Sequence, residues 1–159
     1  MARKNKGKPA KARPIFVLNG PNLNLLGRRE PEVYGRTTLA EIKAAVTARA
    51  RTHGYTLSFH QTNHEGELVD QLQEAREKSC GVILNAGGYS HTSIALLDAA
   101  RALEQPLIEV HLSNPYAREL YRRHSYISEA ADGVICGLGA QGYSVAVDAL
   151  AAMLKNGDA

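Results

Sequence analysis

Three segments carry side chains whose types and spacing could do chemistry. They are NGPNLNLLGRREPEVYG (Asn19–Gly35), NAGGYSHTS (Asn85–Ser93) and EVHLSN (Glu109–Asn114). In the first, Arg29 precedes Tyr34 by five positions. A free phenol titrates near 10 and is a poor base at neutral pH, but a neighbouring guanidinium favours its ionised form. In the third, Glu109 and His111 are two apart and share a face if the segment is a strand. A carboxylate beside an imidazole fixes its tautomer and supports its protonated form, which makes a general acid. Leu112 and Ser113 then offer a backbone N–H and a hydroxyl to an anionic ligand. In the second segment, two glycines let backbone approach a ligand, Asn85 supplies an amide and His91 follows. Arg118 and Arg122, four apart, would share one face of a short helix. This inventory fits proton abstraction next to a carbonyl on a polar anion, with acid-assisted loss of a leaving group.

Each segment must be held in place, and the surrounding pattern says how. Each follows a short apolar run that reads as a buried strand. Strands are expected at Pro14–Asn19, Thr56–Gln61, Gly81–Asn85, Pro106–Val110 and Gly133–Cys136. A connection of about 17 residues follows the first strand, long enough to suggest function. Thr38 then opens a helix with a capping box to Glu41 and an apolar stripe of Leu39, Ile42 and Val46, ended by Gly54. Glu65–Lys78 forms the next helix, with Leu68, Leu72 and Ala75 inward. Ser93 or Thr92 caps a third, with Leu96, Ala99, Ala100 and Leu103 inward. A short helical piece is expected near Ala117–Arg123, and a last helix over Gln141–Lys155. Strands alternating with helices imply a parallel sheet with right-handed crossovers. The expected fold is α/β, a flavodoxin-like three-layer sandwich with a five-stranded sheet ordered 2-1-3-4-5. In such folds ligands bind at the carboxyl edge of the sheet, where all three segments leave their strands.

The charge balance narrows the function class. The net charge is +3, but residues 1–13 hold six Lys/Arg and no acid, leaving 13 basic against 16 acidic residues in the remainder. The body is therefore not a basic nucleic-acid binder, and the tail is expected to be a disordered basic arm. Residues 14–159 read as a single catalytic domain. No apolar run approaches a membrane span, so no membrane partner is expected. Cys80 and Cys136 form no CxxC and suit a reducing, cytoplasmic setting. Six histidines show no metal-ligand spacing, and no metal or cofactor is expected. Gly137, Gly139 and Gly142 spell G-x-G-x-x-G, but a dinucleotide site also needs a following strand with an acidic residue about 20 positions on, and only one helix is expected to follow here. Those glycines suit close packing of the last strand against the last helix. Two alternatives stay open on this reading: a flavodoxin-like binding or response domain, which would need a phosphate or flavin loop after the first strand, and a sugar-phosphate isomerase using the same base and acid.

The motifs NGPNLNLLG, REPEVYG, NHEGELVDQL, ILNAGGYSHTS, IEVHLSN and RRHSYIS resemble, in this order, those of the type II 3-dehydroquinate dehydratases. The likeness runs from about Ile15 to Leu154. It implies a flavodoxin-like fold and a hydro-lyase that converts 3-dehydroquinate to 3-dehydroshikimate without metal, organic cofactor or lysine imine. It further implies that Tyr34 is the base, held as phenolate by Arg29. His111 would be the acid, oriented by Glu109, and Asn22 would bind the water at an enolate-like intermediate. Asn85, His91, Leu112, Ser113 and Arg122 would line the substrate site, with Arg118 in a lid. Asp98, on the polar face of its helix with Arg101, would reach a neighbouring subunit within a dodecamer built as a tetramer of trimers.

Overall fold

Apolar, β-branched runs too short for helices pair here as five parallel strands. In the computed structural model, residues 13–157 are described. The strands are β1 (Ile15–Asn19), β2 (Leu57–Gln61), β3 (Gly81–Asn85), β4 (Leu107–His111) and β5 (Gly133–Cys136), joined side by side in the order 2-1-3-4-5. The expected flavodoxin-like topology is the one observed. The basic tail expected over residues 1–13 lies outside the described residues, apart from Arg13.

Strand parity decides what each face holds, because successive side chains alternate. Ile15, Val17, Ile83, Ile108 and Val110 pack on one face with Ile42, Val46 and Ala50 of α2 (Leu39–Thr52) and with Val147 and Leu150 of α5 (Gln141–Gly157). Phe16, Leu18, Val82, Leu84 and Leu107 pack on the other with Leu68, Leu72 and Ala75 of α3 (Glu65–Lys78) and Leu96 and Ala100 of α4 (Ile94–Arg101). β1, β3 and β4 are buried along their whole length. This is the continuous apolar reading expected of a parallel sheet covered on both sides.

The caps follow from side chains that satisfy the free N–H groups of a first turn. The capping box is formed: Thr38 Oγ1 accepts from the Glu41 N–H at 3.2 Å, while the Thr38 N–H donates to Glu41 Oε2 at 2.8 Å. Of the two candidate caps for α4, Ser93 takes the role, accepting from the Leu96 N–H.

Two expectations need correction. β4 starts at Leu107 rather than Pro106, since proline has no N–H for the ladder. It also runs on to His111, which pairs with Cys136 of β5. The helix expected near Ala117–Arg123 is instead two 3-10 turns, Pro115–Ala117 and Leu120–Arg122. Arg118 between them has extended backbone (φ −114°, ψ −166°), which no helix tolerates. The long connection after β1 carries structure of its own: a 3-10 turn at Leu23–Leu25 and a one-turn helix, α1 (Pro31–Tyr34). Gly27 and Gly35 take positive φ there, at 87° and 82°.

Candidate active site

The sheet's carboxyl edge opens into a cleft of about 170 Å³. Ten of the twelve expected site residues line it. Asn22, Arg29 and Tyr34 come from the β1 connection, and Asn85 and His91 from β3 and its exit. His111, Leu112, Ser113, Arg118 and Arg122 come from β4 and the turns after it. Glu109 stands behind this wall. Asp98 is exposed on α4, away from the cleft of its own chain. Gly87 and Gly88, the two glycines expected to let backbone approach a ligand, line it too, and so do Pro21, Leu23 and Pro115, which were not expected. Their contribution is backbone and shape, which residue chemistry does not signal.

Tyr34 sits at the end of α1. Two guanidinium groups flank its ring, Arg29 at 5.3 Å and Arg118 at 5.2 Å from the centroid. The hydrogen bond to its oxygen comes from Arg118: Nη1 donates to Oη at 2.9 Å and lies 3.3 Å from Ser113 Oγ. The sequence pointed to Arg29 for this contact; Arg118, 84 positions away, has no local signal linking it to the tyrosine. A charge-assisted bond of this kind strengthens when its acceptor becomes an anion.

His111 and Glu109 share the face of β4 expected from their spacing. His111 Nε2 lies 2.6 Å from Glu109 Oε1, and an ionised carboxylate can only accept, so Nε2 carries a proton. Nδ1 is then the nitrogen available to a ligand. Glu109 is fully buried. Burial alone would raise its pKa. Hydrogen bonds from His111, Ser125 and Ser128 outweigh this and hold it below the ordinary carboxylate range. The Ser125 hydroxyl donates to Oε1 and the Ser128 hydroxyl to Oε2. Both serines belong to RRHSYIS, and neither was expected at the site.

The same segment fixes the second histidine. His91 Nδ1 lies 2.7 Å from the His124 carbonyl oxygen, which can only accept, so Nδ1 bears the hydrogen. Burial lowers the His91 pKa despite that bond, and His111 and Arg122 push the same way. His91 therefore stands neutral beside His111, their rings 6.4 Å apart and nearly parallel. Arg122 Nε is buried and lacks a hydrogen-bonded acceptor; Glu119 Oε2 is 3.2 Å away but poorly aligned. An unpaired buried donor on a cleft wall is a place for a ligand oxygen. Among the described residues, no group of three His, Cys, Asp or Glu could hold a metal ion, and no helix is long and apolar enough to cross a membrane.

Fold and cleft together define an α/β protein of flavodoxin-like topology with a charged, polar cleft at the carboxyl edge of its sheet. Residues 13–151 match the family model described as dehydroquinase class II. The chain belongs to the class II dehydroquinase family, a family of enzymes. Among its relatives is the 3-dehydroquinate dehydratase of Phenylobacterium zucineum, 54% identical over 144 residues that cover 91% of this chain and 99% of the relative. That of Streptomyces coelicolor is 52% identical over 147 residues, covering 92% and 94%. The crystal structure of the type II dehydroquinase from Propionibacterium acnes superposes with a TM-score of 0.85 at 41% identity, covering 88% of this chain and 97% of that one.

Proposed function

We propose that this chain eliminates water from 3-dehydroquinate to give 3-dehydroshikimate. The relatives named above support the substrate. The observation that carries the chemistry is a tyrosine oxygen held by Arg118 and a histidine backed by a carboxylate, facing one small cleft.

Tyr34, as phenolate, takes the proton from C2, next to the C3 ketone. Arg29 and Arg118 supply the positive charge that favours that anion. Electrons move into the C3 carbonyl to give an enolate, whose oxygen is met by the water that Asn22 holds. As the enolate collapses, the C1–C2 double bond forms and the C1–O bond breaks. His111 gives its Nδ1 proton to the departing hydroxyl, which leaves as water. Glu109 accepts from Nε2 and offsets the imidazolium charge throughout. The substrate carboxylate takes the Asn85 amide, the Leu112 N–H and the Ser113 hydroxyl, and the ring hydroxyls take Arg122 and His91. Exchange with solvent then returns the proton from Tyr34 to His111. Activity needs Tyr34 ionised and His111 protonated, so the pH profile is expected to be bell-shaped.

A continuous absorbance assay for the conjugated enone product tests this. Tyr34→Phe keeps the ring but has no proton acceptor, and His111→Ala removes the acid. Each is expected to lose about 10²- to 10⁴-fold in kcat while keeping near-native stability. Parent-like turnover by Tyr34→Phe would end the proposal. The reading includes assembly into a dodecamer of four trimers, in which exposed Asp98 completes a neighbour's cleft. A fully active monomer by light scattering would remove that role.

A further inference from the structure

Tyr143, in the first turn of α5, is left unused by the chemistry so far. It is the largest fully buried side chain among the described residues. The Tyr143 hydroxyl lies between two asparagines that face each other across β1 and β3, Asn19 and Asn85. Asn85 Nδ2 donates to the hydroxyl at 3.0 Å, and the hydroxyl donates to Asn19 Oδ1 at 2.6 Å. Both asparagines are buried, at 0% and 3% exposure.

The direction of this chain of bonds is forced from both ends. The Gly87 N–H can only donate, and it does so to Asn85 Oδ1 at 3.1 Å. Asn85 must therefore turn Nδ2 toward Tyr143. The His60 carbonyl can only accept, and it takes Asn19 Nδ2 at 2.9 Å. Asn19 must therefore turn Oδ1 toward Tyr143. A hydroxyl has one hydrogen, so Tyr143 gives it to Asn19 and accepts from Asn85. Burial pushes the Tyr143 phenol above its ordinary range, which keeps that hydrogen in place. Reversing any member would set two buried donors, or two acceptors, against each other. Asn85 lines the cleft. With its oxygen turned to the Gly87 N–H and one amide hydrogen committed to Tyr143, it has one N–H left for a ligand.

We propose that Tyr143 and Asn19 are positioning residues for catalysis: they lock the Asn85 carboxamide so that the cleft meets a donor there, which selects an anionic oxygen group such as the substrate carboxylate. This rests on the proposed reaction above. A carboxylate that stays ionised through the reaction is held alike in ground and transition states, so loosening its donor raises KM more than it lowers kcat.

The test is Tyr143→Phe, which keeps the ring and removes the hydroxyl. KM for 3-dehydroquinate is expected to rise roughly tenfold, the size of a lost buried hydrogen-bond partner, with kcat changed less than about threefold. The ligand-free protein gives a second readout, hydrogen exchange of the Asn85 side-chain amide followed by ¹⁵N–¹H spectra. Exchange is expected to be slow in the parent and fast in Tyr143→Phe. Asn19→Leu asks the same question should Tyr143→Phe fail to fold, and the KM effects of the two changes should not add. If the parent does not turn over 3-dehydroquinate, the proposed reaction fails while amide exchange still decides the lock. Parent-like KM and unchanged Asn85 protection in a variant that only melts earlier would overturn the proposal.

Discussion

Behind the cleft stands Glu109, whose charge is held by His111 first and by two serine hydroxyls after it. A buried carboxylate is stable as an anion only where donors replace lost water. Ser125 and Ser128 supply one donor to each of its oxygens. With both changed to alanine, the folded-state pKa of Glu109 rises. The anion is then lost at a higher pH on acidification, and with it the support for protonated His111. The double variant is expected to lose about tenfold in kcat, the share of a charge-assisted bond, and its alkaline limb should move downward. An unmoved limb would show that His111 alone sustains the carboxylate. The Glu109–His111 pair was legible in the sequence because strand parity is a local rule. The serines were not, since they lie 16 and 19 positions away and nothing in local spacing aims a turn hydroxyl at a strand. The same holds for Arg118 at Tyr34.

At the level of elements, the cleft depends on how closely the exits of β1 and β3 approach. Gly20 makes that approach possible. A Cβ on it would lie 2.4 Å from the Ala86 carbonyl oxygen and 2.7 Å from its carbon, and backbone cannot swing aside as a side-chain tip can. The Gly20 N–H also donates to the Asn85 carbonyl at 2.8 Å. Gly20→Ala should therefore cost about 1–3 kcal/mol as overpacking, measured by denaturant unfolding, and should lower activity because Asn22 and Asn85 separate. Native stability in that variant would show that the exits can spread freely. Strands, caps and sheet order were legible because apolar runs, a Thr-x-x-Glu box and alternation act over a few residues. The two 3-10 turns around Arg118 were not. Their shape follows from a guanidinium reaching across to Tyr34 and Ser113, a tertiary demand that overrides helical spacing.

Over the whole molecule, three groups set how stability responds to acid. The pKa of His91 is lowered chiefly by burial, so the unfolded chain takes up a proton from about pH 6.5 downward while the fold resists it. The pKa of Asp148 is lowered chiefly by its hydrogen bonds from Arg49, and that of Glu109 is also lowered. Both carboxylates stabilise fully above the ordinary carboxylate pKa of about 4 and lose this as pH falls through their lower folded values. The Arg49–Asp148 pair is largely exposed and contributes little, so Glu109 governs the lower window. The melting temperature is expected to fall in two stages between pH 8 and 3, and His91→Gln should flatten the first. A variant with an unchanged first stage would point to another group.

The bond between Asn19 and Tyr143 joins positions 124 apart in the chain, and that span has a consequence in time. A chain made from its N-terminus exposes β1, then β3, then the turns bearing Ser125 and Ser128. Every residue that lines the cleft has been made by Arg122. Yet the hydroxyl that accepts from the Asn85 amide arrives only when α5, the last helix, docks. A nascent chain can therefore hold every side chain that lines the cleft while the tyrosine that braces Asn85 is still to come.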